Sequence, residues 1–169
     1  MIERTHRKGD ADSRALYSPC MAYRFALERI WSGGPRILFV ALNPSTATEV
    51  ENDPTVERCE RRARAMGYGG FGVANIFALR ATDPRAMRAH PEPVGAGNDA
   101  AILRAAGGAD RIIACWGAHG AHLGRGAAVA AMLRGAGHAL WHLGLTQAGD
   151  PRHPLYLPYA RAPEPWATA

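Results

Sequence analysis

Two asparagines, a histidine and an aspartate supply residue types that suit the chemistry of a nucleobase. Asn43 follows the apolar run Ile37-Leu38-Phe39-Val40-Ala41-Leu42 and leads into Pro44-Ser45-Thr46. An asparagine side chain offers one carbonyl acceptor and two N–H donors. It can bond a base edge bidentately, or hold a water against an electrophilic carbon. Asn75 sits in a second apolar run, Val73-Ala74-Asn75-Ile76-Phe77, where an unbonded amide would be costly. It is either a base-contacting group or a satisfied core amide. His153 lies in Asp150-Pro151-Arg152-His153-Pro154-Leu155. As a neutral imidazole it can donate to negative charge developing on a departing base. Asp53 opens Asp53-Pro54-Thr55 and is first a helix cap. A second role is open to it as a water-activating carboxylate.

Other chemistries lack their signatures. The chain has no G-x-S-x-G elbow, no Ser/His/Asp order and no Walker loop. Carboxylates near the same segments are few, chiefly Glu49, Glu51, Asp53 and Asp83, which argues against a magnesium site. The three cysteines, Cys20, Cys59 and Cys115, form no C-x-x-C pair. They give neither a disulfide framework nor a zinc or iron–sulfur site. No metal and no cofactor is expected.

These residues need elements to position them. An unbroken apolar run reads as a buried parallel strand, and proline cannot continue it. Residues 36–42 therefore form a first central strand that delivers Asn43 at its C-terminal end. Residues 73–77, 111–116 and 139–143 read as three more strands. Helices are expected from Pro54 to Met66, from Asp99 to Ala106 and from Ala127 to Arg134, each closed by a glycine. The segment Tyr23–Trp31 alternates imperfectly and is an edge strand or a short helix. Residues 144–169 are rich in Pro and Gly and mostly irregular. Strands alternating with helices predict an α/β fold: a three-layer α/β/α sandwich around a mainly parallel, four-stranded sheet. The 169 residues make one domain, with its core over about residues 22–159.

Each strand then ends in polar or backbone-permissive residues at one edge, where open α/β sheets bind ligands. Ser45, Thr46, Arg80, Gly117, His119 and Arg152 belong to the converging loops. Formal net charge is +5, with arginine favoured over lysine. Guanidinium groups suit phosphate, although a GC-rich coding sequence also favours arginine. Arg80 and Arg152 either bind phosphate or pair with Asp83 and Asp150. The N-terminus is charged, with no apolar h-region, and no apolar stretch is long enough to span a bilayer. A cytoplasmic location is expected.

In this order the motifs resemble the uracil-DNA glycosylase superfamily. Ala41-Leu42-Asn43-Pro44-Ser45 is similar to its first motif, which reads G-[IM]-N-P-G in two branches. Val73 to Arg80 is similar to the T-N-V-V-K-C-R-P segment of the iron–sulfur branch. Arg111 to Gly117 resembles that branch's next strand, and His153-Pro154-Leu155 stands where the superfamily has H-P-S or H-P-A. The likeness covers roughly residues 36–157. The chain resembles more closely a bacterial and phage family of unknown function with the hallmarks N-P-S-T-A, D-P-T, N-[LI]-F-A-x-R-A-T-D-P, W-G-x-H-G and P-R-H-P-L-Y.

The superfamily resemblance implies a monofunctional DNA glycosylase that flips a base from the stack and hydrolyses its N-glycosidic bond. On that mapping Asn43 positions the water, Asn75 reads the base, and His153 stabilises the departing anion. The 149–157 loop wedges the duplex. Pro44, Ser45, Phe77 and Gly117 line the base site. Thr46, Arg80, His119 and Arg152 meet phosphates. The departures matter too. The four iron–sulfur cysteines are absent, and Ala41 replaces the usual glycine. Ser45 stands where the uracil-specific branch has a tyrosine against pyrimidine C5, so a C5-substituted pyrimidine is the expected base. Phe77 and Tyr68 are either stacking aromatics or core. The partner is DNA, in repair or phage defence. Hydrolysis of a modified nucleoside or nucleotide, and a non-catalytic base reader, are the competing functions.

Overall fold

A computed structural model describes residues 1–167. Its strands are β1 (Ile2–Lys8), β2 (Ala11–Tyr17), β3 (Arg24–Ile30), β4 (Arg36–Ala41), β5 (Gly70–Asn75), β6 (Arg111–Cys115), β7 (Trp141–His142) and β8 (Glu164–Pro165). Its α-helices are α1 (Pro54–Ala65), α2 (Pro84–Ala89), α3 (Asn98–Gly107) and α4 (Arg125–Gly135), and a 3-10 segment spans Ala118–Gly124. All the strands join one sheet in the order β1-β2-β3-β5-β4-β6-β7-β8.

The fold is mixed α/β, and the sheet corrects the expectation of four mainly parallel strands. It has eight strands. Pairings β1–β2, β2–β3, β3–β5 and β7–β8 are antiparallel, while β4–β5, β4–β6 and β6–β7 are parallel. The first three strands form a meander laid against β5. Residues 24–30 are therefore an internal strand, neither an edge nor a helix. No helix described here is long and apolar enough to cross a membrane.

Alternation along β4 packs both faces of the sheet. Ile37, Phe39 and Ala41 meet Val56, Cys59 and Ala63 of α1 on one side. Leu38 and Val40 meet Ile102 and Ala106 of α3 and Val129 and Leu133 of α4 on the other. The α1 residues fall at i, i+3 and i+7, one stripe of a 3.6-residue helix. Asp53 caps α1 by accepting from the Val56 N–H, and Pro54 supplies the preset φ of the first turn.

Gly117 ends β6 with φ +71° and ψ −170°, a region that essentially only glycine occupies. Its N–H donates to the Pro151 carbonyl at 2.7 Å, which draws the His153 loop onto the sheet edge. Gly117→Ala should cost about 1–3 kcal/mol in urea unfolding, through backbone strain alone.

Candidate active site

The chain runs from β4 through α1 to β5 on one side of β4. It then crosses through α3 to β6 on the other side. The loops leaving β4 and β6 diverge, and the crevice between them is the topological switch point where open α/β sheets hold ligands. A cavity of ≈ 420 Å³ opens there, within the usual range for small-molecule sites. Asn43 and Ser45 reach it from the end of β4, and Asp53 and Thr55 from the start of α1. Trp116, Gly117 and His119 reach it from the end of β6, and His153 from the last loop.

Asn43 is oriented by backbone. Its Nδ2 donates to the carbonyls of Ala81 (2.8 Å) and Pro44 (3.1 Å). That fixes the amide and leaves Oδ1 without a partner among the described residues, as an acceptor in a cavity-lining side chain.

Asp53 is almost buried. Its Oδ1 accepts from the Val56 N–H (2.9 Å) and its Oδ2 from the Ala47 N–H (3.1 Å). A carboxylate oxygen can accept more than one hydrogen bond, so both retain capacity for a water.

His153 is held by its Nδ1, which accepts from the Leu155 N–H at 3.3 Å. The neutral ring therefore carries its proton on Nε2. Burial lowers its proton affinity below the usual histidine range, against the pull of the Asp53 carboxylate. The neutral, donating form is thus the favoured one.

The loop carrying Asp53 is clamped by β2 and β3. Buried Arg24 of β3 donates Nη1 to the Ala47 carbonyl (2.9 Å). Arg29, also buried, donates to the Thr48 carbonyl (2.9 Å) and to Asn52 Oδ1 (2.7 Å). From β2, Ser13 Oγ donates to the Glu49 carbonyl (2.6 Å) and Tyr17 Oη to the Glu49 carboxylate (2.8 Å). Burial pulls the Arg24 guanidinium down to about 10, with Asp53 the first opposing influence. Hydrogen bonds of this density fix a loop more tightly than its own turn chemistry would.

Asn75 is not at the cavity, which corrects the expectation of two amides around one hollow. It ends β5, on the far side of β4 from the switch point. Its own carbonyl accepts from Asn98 Nδ2 (2.9 Å), and Arg125 Nε bonds the next carbonyl, Ile76 (2.7 Å). Those bonds close that end of the sheet, and Asn75 is 3% exposed. Its Oδ1 faces Arg24 Nη2 at 3.5 Å.

Phe77 is fully buried in the core, and Tyr68 packs at the edge of the other core cluster. Pro44 is buried off the cavity, and Thr46 is exposed outside it. Arg80 turns away. It donates to the Met21 carbonyl (3.1 Å) and lies over the Tyr17 ring at 5.3 Å, while Asp83 pairs with Arg85 instead. Arg152 is exposed beside His153 and also off the cavity. Trp116, Thr55 and Thr82 line the cavity without having been singled out. Trp116 does close the apolar run before Gly117, the signal that could have found it.

The model of a protein family of unknown function, DUF1643, matches residues 24–155. The chain belongs to the DUF1643 family. No curated protein and no solved structure matches it. The DUF1643 span begins at Arg24 and ends at Leu155, so it contains the β3 arginine clamp and every cavity residue named above. Strands β1 and β2 precede it.

Proposed function

We propose that this chain is a monofunctional DNA glycosylase that hydrolyses the N-glycosidic bond of a flipped-out pyrimidine. The observation that carries the reading is the meeting of three groups in one cavity at the switch point. They are an asparagine oxygen fixed as acceptor, a nearly buried carboxylate and a neutral imidazole with Nε2–H to donate. Hydrolysis at the anomeric carbon asks for these functions. Asn43 Oδ1 orients the attacking water. Asp53 takes its proton or faces the positive charge that grows on the sugar. His153 donates to the base as it leaves with the bonding electrons.

The helices on both faces of the sheet support the finer reading of a three-layer α/β/α sandwich of uracil-DNA glycosylase type. Its parallel strands would be β5, β4, β6 and β7. Base recognition falls to cavity groups other than Asn75. Ser45 Oγ lies 3.4 Å from Thr82 Oγ1, so one wall is made of small hydroxyls. That wall leaves room for a substituent at pyrimidine C5. Tyr156 is 88% exposed at φ +71°, one residue beyond the cavity-lining Leu155. It is the side chain best placed to enter the base stack as the target leaves it.

Asn43→Ala should lower turnover by about 10²-fold while duplex binding persists, because a misplaced water costs rate rather than affinity. Single-turnover kinetics beside a binding titration make the check. Equal loss of both would make Asn43 a binding group rather than the residue that orients the water, and no turnover in the parent would favour a non-catalytic base reader.

A further inference from the structure

Beyond the cavity rim, two arginine side chains lie over one glycine. Gly144 has φ +114°, and a β-carbon there would lie 2.6 Å from Nη2 of Arg161 and 3.3 Å from Cδ of Arg152. Both arginines are exposed. Neither makes an ion pair, and neither side chain donates a hydrogen bond, among the described residues. The arrangement is built rather than loose. The Arg152 N–H donates to the Gly144 carbonyl (2.8 Å), and the Arg161 N–H to the Pro158 carbonyl (3.0 Å). Buried Arg62 donates Nη1 to the Arg161 carbonyl (2.6 Å). On the other side of Gly144, His142 Nδ1 accepts its N–H at 2.9 Å. Burial lowers the proton affinity of His142, Glu164 raises it, and the nearby Arg161 charge lowers it. Glu164 stands opposite His142 in the β7–β8 pair but does not neutralise Arg161.

We propose that Arg152 and Arg161, brought together over Gly144, form a binding site for a phosphate oxyanion beside the cavity. Two exposed guanidinium groups whose side chains lie over one backbone position can turn toward a shared anion. Guanidinium forks match phosphate oxygens in pairs. The φ of +114° at 144 calls for glycine, and the missing β-carbon leaves the Arg161 guanidinium room to lie there. Arg152 directly precedes His153, so the phosphate sits next to the loop that reaches the cavity. Assigning that phosphate to a DNA backbone rests on the base pocket proposed above. Phosphate binding itself does not. A free nucleotide supplies the same chemistry.

Fluorescence anisotropy of a labelled, unmodified duplex across a salt series tests the site without any turnover. Arg161→Ala and Arg152→Ala should each weaken binding and flatten the plot of log affinity against log salt by about 0.9. Arg161→Lys keeps the charge and loses the fork, so the slope should stay while affinity falls. Arg7→Ala, in β1 at the opposite edge of the sheet, removes equal charge and should leave the slope in place. A parallel arm titrates a nucleoside 5′-monophosphate. If Arg161→Ala weakens the monophosphate alone, the phosphate site stands and a nucleotide is its source. Duplex and monophosphate binding both unchanged in Arg152→Ala and Arg161→Ala would overturn it. Because both side chains are exposed, these variants should unfold thermally like the parent, which keeps the comparison clean.

Discussion

Replacing Asp53 with serine should cut turnover by about 10²–10⁴-fold, the usual yield of a positioned general base, while the helix cap is kept and stability falls by about 1–3 kcal/mol for the Ala47 N–H that loses its acceptor. Serine is chosen because Asp53 has two roles that must be separated. As the cap of α1 it accepts from the Val56 N–H, and serine caps a helix nearly as well as aspartate. As a carboxylate in the cavity wall it is placed to take a proton from water or to face a cationic sugar, and serine can do neither. Asp53→Asn is the second comparison. An amide can accept from one backbone N–H but presents its own N–H toward the other, so Val56 or Ala47 loses its acceptor. That should likewise cost about 1–3 kcal/mol of stability. Urea unfolding of the two variants beside their single-turnover rates separates capping from chemistry. A serine variant that unfolds early and turns over at the parent rate would reduce Asp53 to a cap.

His153→Ala should cost about 10²–10³-fold in turnover, as for the loss of one donor to a developing anion. It should also change the pH profile. The functional form is neutral, and burial holds its proton affinity below the usual value of 6.5. Wild-type turnover should therefore hold steady as pH falls through 6.5 and decline only at lower pH, when the imidazole protonates. The variant should lack that acid limb. Stability follows the same sign. The folded-state value is depressed, so the unfolded chain takes up the proton first. The contribution is present above 6.5 and is lost as pH falls through the folded value. His142, also depressed, adds to the loss over the same window. An acid limb centred above 6.5 would contradict a neutral donor.

The sequence made the parallel strands and their helices legible because apolar runs and glycine stops are local signals. Residues 36–41 and 111–115 are strands, and α1 starts at Pro54 behind its cap. The second parallel strand begins at Gly70, three residues earlier than Val73, because Gly70 and Gly72 read as turn residues rather than strand. Strands β1 and β2 were illegible for a similar reason. Ile2–Lys8 is exposed nearly throughout and shows no alternation, while Ala11, Ser13 and Ala15 face inward with too little hydrophobicity to mark a buried face. Arg24 and Arg29 could not be read as buried clamps, since their partners are loop carbonyls more than fifteen residues away.

The candidate site divides along the same line. Asn43, Asp53 and Gly117 were legible because each stands within two residues of an element's end, and His153 because it is an imidazole set in the proline-flanked run Pro151-Arg152-His153-Pro154. Asn75 ends an element too, yet it lies off the cavity. Which strand neighbours the switch point is set by sheet order, and no local pattern encodes strand order. Phe77 follows the same strand end and is carried into the core with it.

The central claim is that the cavity between β4 and β6 breaks a base–sugar bond. The direct measurement incubates the protein with DNA carrying uracil or C5-substituted pyrimidines and scores alkali-labile abasic sites. Cleavage at a C5-substituted position, lost in both Asp53→Ser and His153→Ala, is the predicted result. Release confined to uracil would remove the C5 assignment. No abasic product on any DNA, or product that persists unchanged in both variants, would contradict the account.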